Sequence, residues 1–142
     1  MDCDMVCLGD IAELFAMADD KFAVKVAKHN YTPQHEVKFL GHKQTKYEKK
    51  NWSSVMLFNN EMCPVLTTGY VENAPGLDLH QFVWTSRVGE LPKKWNWLID
   101  IYEGTDAKLL HYTNGTPCFM EYMACTGAEI WHEEFRDMTS SD

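Results

Sequence analysis

The chain has 142 residues, 45% of them apolar and 13% aromatic, with a net charge of −8. That length predicts one domain, residues 1–142, with room for a core, and the composition excludes a disordered chain. No run is long enough to span a bilayer, and the acidic balance argues against a general nucleic-acid binder. Five cysteines (Cys3, Cys7, Cys63, Cys118, Cys125) form no C-x-x-C pair, so neither a zinc knuckle nor a redox motif is indicated. Reduced, mostly buried thiols in a cytoplasmic protein are the expectation, and the acidic N-terminus does not read as a secretion signal.

The chain opens on Asp2-Cys3-Asp4, an apolar run and then Gly9-Asp10. In an extended backbone, residues i and i+2 point to the same side. Asp2 and Asp4 therefore offer two hard oxygen ligands to one point, a pattern that suits magnesium or manganese. Asp10 is a predicted N-cap, with Glu13 three residues on completing a capping-box variant. Ile11, Leu14, Phe15 and Ala18 repeat at helical spacing and predict one buried face. Phe22, Val24 and Val26 alternate with Ala23, Lys25 and Ala27 as a strand.

Residues 29–50 read as a long loop with a short strand at Val37–Leu40, and such loops are more often functional than idle. Residues 21–50 also hold eight of the thirteen basic residues, against Glu36 and Glu48. A surface receiving phosphate or an anionic partner is one reading of that imbalance; a solvated basic loop is the other. Residues 53–59 predict a strand buried on both faces. Helices are expected around Pro64–Asn73 and Leu77–Trp84, and Leu91–Trp97 is a turn into an aromatic cluster. A strand at 108–112 ends on His111 and meets the turn Asn114-Gly115-Thr116-Pro117. Trp131, Phe135 and Met138 lie on one face of a C-terminal helix, and 139–142 should fray. Strands alternating with helices give an α/β class.

Four segments, in order, resemble the glycogenin-like glycosyltransferases (family 8 type). Asp2-Cys3-Asp4 with Gly9-Asp10-Ile11 is similar to their D-x-D segment before a G-D-I or G-D-L helix start. Ser53-Ser54-Val55-Met56-Leu57-Phe58-Asn59 is similar to their N-S-G-V-M-L-F-N strand. Leu91-Pro92-Lys93-Lys94-Trp95-Asn96 is similar to L-P-x-x-W-N, and His111 to Pro117 to the closing H-x-x-G-x-x-K-P. The resemblance covers residues 2–117.

It implies a partial GT-A (nucleotide-diphospho-sugar transferase) fold, a mixed sheet with flanking helices. It also implies metal-dependent, retaining transfer of a hexose from a nucleotide sugar, usually a UDP-sugar, to a glycan or other acceptor. Asp2, Asp4 and His111 match the family's ligands for a manganese or magnesium ion. Ser53 and Ser54 fall in the substrate-contacting strand, and Gly115 and Thr116 in the phosphate-contacting turn. Asp78 and Gln81 are the nearest counterparts of its catalytic Asp-Gln pair.

The sequence departs from the pattern at several points. Thr116 stands where the family has a phosphate-binding Lys, Cys118 replaces a Trp, and Trp52 stands where a sugar-contacting Asn is expected. In the family, strands carrying the uracil and ribose pocket precede the D-x-D. The resemblance therefore implies a C-terminal catalytic portion whose N-terminal nucleotide-binding strands are missing: a fragment, the product of an internal start codon, or one half of a split protein whose partner is a separate N-terminal half chain. The alternative is a truncated, non-catalytic sugar- or metal-binding module of the same fold. A hydrolase or nuclease built on the acidic pair finds no third carboxylate at useful spacing and no general base.

Overall fold

The computed structural model describes residues 1–30, 32–33, 37 and 39–140. It is a mixed α/β arrangement of two small sheets. In chain order the elements are β1 (Met5–Cys7), α1 (Ile11–Phe15), β2 (Val24–Ala27), β3 (Met56–Phe58), α2 (Thr68–Asn73), α3 (Gly76–His80), β4 (Val88–Leu91), β5 (Trp97–Leu98), β6 (Leu109–His111) and α4 (Ala128–Thr139). One sheet has the order β1-β6-β5 and the other β3-β2-β4. Each is mixed, because its central strand pairs antiparallel on one side and parallel on the other.

The two central strands carry the most apolar sequence, as strands covered on both faces require. Val24 and Val26 of β2 and Leu109 of β6 are fully buried. One core cluster joins the sheets: Leu14 of α1, Val55, Leu91 at the end of β4, Trp95 and Leu109 pack together, with Met5, Met17 and Leu57 against them. The D-x-D segment spans the same seam. Its register sets Met5 opposite His111, and the Tyr112 amide donates to the Asp4 carbonyl (3.0 Å). The Asp2 amide donates to the Ser54 carbonyl (2.8 Å), tying the segment to the 3-10 turn Trp52–Ser54 before β3.

Asp10 caps α1 as predicted, accepting from the Ala12 amide at 2.9 Å. Glu13 does not reach back to complete the box; it pairs with Lys108 at 3.1 Å. The helix is five residues long, so only Leu14 of its apolar stripe is buried, and Ile11 and Phe15 are exposed. The strand at 53–59 is also shorter than expected and not buried on both faces, since β3 is an edge strand and Phe58 is exposed. Phe39–Gly41 is a 3-10 turn, while Val37 makes an isolated bridge to Lys43, so the described residues of the strand expected at Val37–Leu40 do not form one. Glu36 and Lys38 lie outside the described residues, as do Ser141 and Asp142 of the tail. Thr139 is the last residue of α4. All five cysteines are free, but Cys3, Cys7 and Cys118 are exposed rather than buried.

The pairing of β4 with β2 sets Gly89 opposite Lys25. A Cβ at Gly89 would lie 2.7 Å from Cγ of Phe22 and 2.9 Å from Cγ of Lys25, inside van der Waals contact. Lys25 has little freedom to move, because its ammonium donates to the Met17 carbonyl at 2.8 Å. Gly89→Ala is expected to cost about 1–3 kcal/mol by overpacking. Urea denaturation checks this; a midpoint equal to the parent's would show that the strands separate freely.

Candidate metal centre

The side chains of Asp2, Asp4 and His111 converge, each offering one ligand atom within 4.8 Å of the others. Asp2 and Asp4 lie on the segment before β1, which bends at Cys3 and Asp4. His111 arrives on β6 through the pairing just described. Asp2 is exposed, Asp4 half-buried and His111 fully buried.

A chain of contacts behind His111 fixes its tautomer. Asn96, buried at the end of the 3-10 turn Lys93–Asn96, donates its Nδ2 to the Asn51 carbonyl at 2.8 Å. Its Oδ1 is thereby turned toward His111 Nδ1, 2.8 Å away. The alternative amide orientation would set two oxygens against each other at Asn51. His111 Nδ1 therefore carries a proton and donates it, so that in the neutral ring the Nε2 lone pair is the one offered to a ligand, the role such outer partners play at metal sites. Nε2 lies 3.5 Å from Asp4 Oδ2, too long for a good hydrogen bond and short enough for both atoms to share one ion. Two carboxylates and an imidazole suit manganese or magnesium by their hard oxygen character, and the imidazole favours manganese of the two. Asn51 in turn donates its Nδ2 to the Thr113 hydroxyl at 3.1 Å, tying the brace to the turn after β6.

Ser53 and Ser54 lie beside Asp2. Ser54 supplies the carbonyl that holds the Asp2 amide, and the Ser53 hydroxyl is 2.6 Å from His80 Nδ1. The Gly115 amide, expected to face phosphate, donates to the Tyr112 carbonyl at 3.0 Å and closes the turn. The Thr116 hydroxyl pairs with the Cys118 thiol at 2.8 Å. Asp78 sits in the first turn of α3 and Gln81 caps its end. The Gln81 carbonyl accepts from the Lys49 ammonium at 2.6 Å. A pocket shared by Asp2, Ser53 and His80 is lined on its α3 side by Gly76, Leu79 and His80, not by Asp78 or Gln81.

Three residues around the centre carry no sequence signal that singled them out. Asn96 belongs to the L-P-x-x-W-N segment, but nothing in its spacing points to His111. His80 lies between the two residues chosen as the catalytic pair. His29 follows β2, is buried, and has Nδ1 2.7 Å from the Tyr102 hydroxyl. Burial, then the nearby His111 and Lys93, lower its pKa from 6.5 to about 4. Between those two values the unfolded chain holds a proton that the folded chain does not. Stability therefore falls as pH drops below about 6.5, with the loss complete below about 4 and amounting to about 3 kcal/mol. Urea midpoints from pH 7.5 to 4.5 read this slope directly. His29→Gln should flatten it, and an unchanged slope in that variant would assign the effect to other groups.

The chain is 35% identical, over 147 aligned positions, to Protein CDI of Arabidopsis thaliana. The alignment covers 96% of this chain and 57% of the relative, so the chain spans little more than half the relative's length. No family model matches the chain, and no solved structure matches it.

Proposed function

We propose that this chain is the metal-binding portion of a retaining glycosyltransferase of the glycogenin-like type, with a partial GT-A fold. Its donor is a nucleotide sugar, a UDP-sugar by resemblance, from which it transfers a hexose to an acceptor hydroxyl. The observation that carries this reading is the convergence of Asp2, Asp4 and His111, with Nε2 of His111 presented by the Asn96 brace. Those three residues match the ligand positions of the resembling family in type and in order.

Asp2, Asp4 and His111 would hold a manganese or magnesium ion. When bound, the ion supplies neutralisation of the charge that develops on the departing diphosphate. The chain's own residues orient this centre. Asn96 holds the His111 ring, the Ser54 carbonyl holds the Asp2 backbone, and pairing with β6 holds Asp4. By the resemblance, the strands that bind uracil and ribose precede the D-x-D and complete the donor site.

The test is manganese binding followed by turnover. Paramagnetic resonance of manganese should show a bound fraction with this chain. Hydrolysis of UDP-glucose should depend on manganese when the chain is complemented by a chain carrying the upstream strands. Absence of both manganese binding and donor turnover in the complemented protein sinks the proposal. A second reading, a sugar- or metal-binding module without turnover, draws on the turn after β6, where the Gly115 amide and Thr116 hydroxyl are already engaged. Manganese binding with no turnover in the complemented protein selects it.

A further inference from the structure

Within the basic segment lies a pocket of about 500 Å³, whose lining includes His29, Thr32, Lys46, Glu48, Lys49 and Trp52. His29 is only 5% exposed. Its Nδ1 lies 2.7 Å from the Tyr102 hydroxyl, and Tyr102 stands outside the lining. Among the described residues the phenol proton has no acceptor but this nitrogen. The hydroxyl therefore donates to Nδ1, and in the neutral ring Nε2 carries the hydrogen. The ring is neutral near pH 7, because burial, then His111 and Lys93, lower its pKa to about 4. Nε2, on the ring edge turned away from Tyr102, is buried and has no hydrogen-bond partner among the described residues. A buried N–H without an acceptor costs stability, and native chains rarely keep one that serves nothing.

The surroundings specify the acceptor that is wanting. Lys46 is exposed and forms no ion pair among the described residues. The Lys49 ammonium uses one hydrogen on the Gln81 carbonyl at 2.6 Å, which leaves two. The Trp52 indole donates to the His29 carbonyl at 2.9 Å, and the Lys28 ammonium lies 5.8 Å from the centre of the Trp52 ring. Glu48 is the single carboxylate among the described lining residues, set against Lys46 and Lys49 in a chain whose net charge is −8. The positive charge of Lys93 also reaches His29. Donors that approach from the buried side and from the rim suit a tetrahedral oxyanion better than a planar carboxylate, because its oxygens point in several directions.

We infer that this pocket binds a phosphate group, one oxygen accepting from His29 Nε2 and the others facing the Lys46 and Lys49 ammonium groups. The site needs no metal, and it stands whether or not the chain is a transferase.

The test is NMR titration of the metal-free, isotopically labelled chain with inorganic phosphate, phenyl phosphate and acetate at constant ionic strength. Either phosphate should move the His29 Nε2–H and Trp52 indole resonances, and acetate should leave them in place. Equal affinities for the two phosphates assign the site to the free ion; tighter binding of phenyl phosphate assigns it to an ester lying against Trp52. Lys46→Gln changes an exposed side chain, so it should spare the fold and weaken phosphate about tenfold, as loss of a charged hydrogen bond would. His29→Phe keeps a ring against Tyr102 and removes the N–H, and should weaken phosphate by a similar factor. Resonances unmoved by both phosphates would overturn the inference, as would undiminished affinity in Lys46→Gln or acetate binding as tightly as phosphate. Movement seen only with UDP and manganese together would overturn it too, by making the pocket part of the donor site. Phosphate binding here without manganese binding at Asp2, Asp4 and His111 keeps this site and retires the transferase.

Discussion

Asp4→Asn is expected to abolish manganese binding while leaving the fold in place. The side chain of Asp4 is 30% exposed, and its Oδ2 lies 3.5 Å from His111 Nε2. The amide keeps the size of the carboxylate but removes its charge. It also presents either a weaker oxygen or an NH2 group to the ion position. The backbone of Asp4, which accepts from the Tyr112 amide, is untouched. Loss of a direct ligand should exceed the 10- to 100-fold loss typical of changing an outer partner, so a drop of at least about 100-fold in manganese affinity is expected. Without metal the same change relieves repulsion between two carboxylates held close together, so the metal-free melting temperature should hold or rise slightly. The readouts are a manganese titration and melting curves with and without manganese chloride. An Asp4→Asn protein still stabilised by manganese as the parent is would remove Asp4 from the ligand set.

Asp2 and Asp4 were legible as a candidate pair because they stand two residues apart, although the chain bends at Cys3 and Asp4 where an extended run was expected. The third, His111, was reachable only by resemblance, since 107 positions separate it from Asp4 and a strand-end histidine is ordinarily structural. What joins them is the Met5–His111 pairing, a non-local contact that hydrophobic periodicity does not encode.

The same limit hid β4 and β5. Val88–Leu91 has Gly89 in its middle, and Trp97–Leu98 is two residues long; each is a strand because a parallel neighbour makes it one. The apolar stripe of α1 was read correctly as a helix and wrongly as a buried face. Five residues turn too little for Ile11 and Phe15 to reach the core that Leu14 meets. In the pocket beside Asp2, Ser53 was selected by resemblance, but its partner His80 was passed over for Asp78 and Gln81. A single turn of helix decides which of residues 78–81 faces Asp2, and sequence spacing does not fix that rotation.

Asn96 supplies the second large effect, because one buried side chain holds the imidazole and the loop behind it. Asn96→Ala removes the acceptor for His111 Nδ1 and the donor to the Asn51 carbonyl. His111 Nδ1 left without a partner in the interior costs about 1–3 kcal/mol, while the Asn51 carbonyl keeps only its longer bond from the Ser54 amide (3.4 Å); a ring freed to rotate or change tautomer should lose about 10- to 100-fold in manganese affinity. Asn96→Asp separates the two effects. A carboxylate still accepts from Nδ1, so the ring stays oriented and Nε2 stays available. It cannot donate to the Asn51 carbonyl, and it buries a charge whose offset comes from the imidazole and the bound ion. Asn96→Asp should therefore bind manganese within a few-fold of the parent while unfolding at lower urea, whereas Asn96→Ala should lose on both counts. Manganese affinity in Asn96→Ala equal to the parent's, alongside lowered stability, would mean that Asn96 supports the fold and has no part in presenting His111.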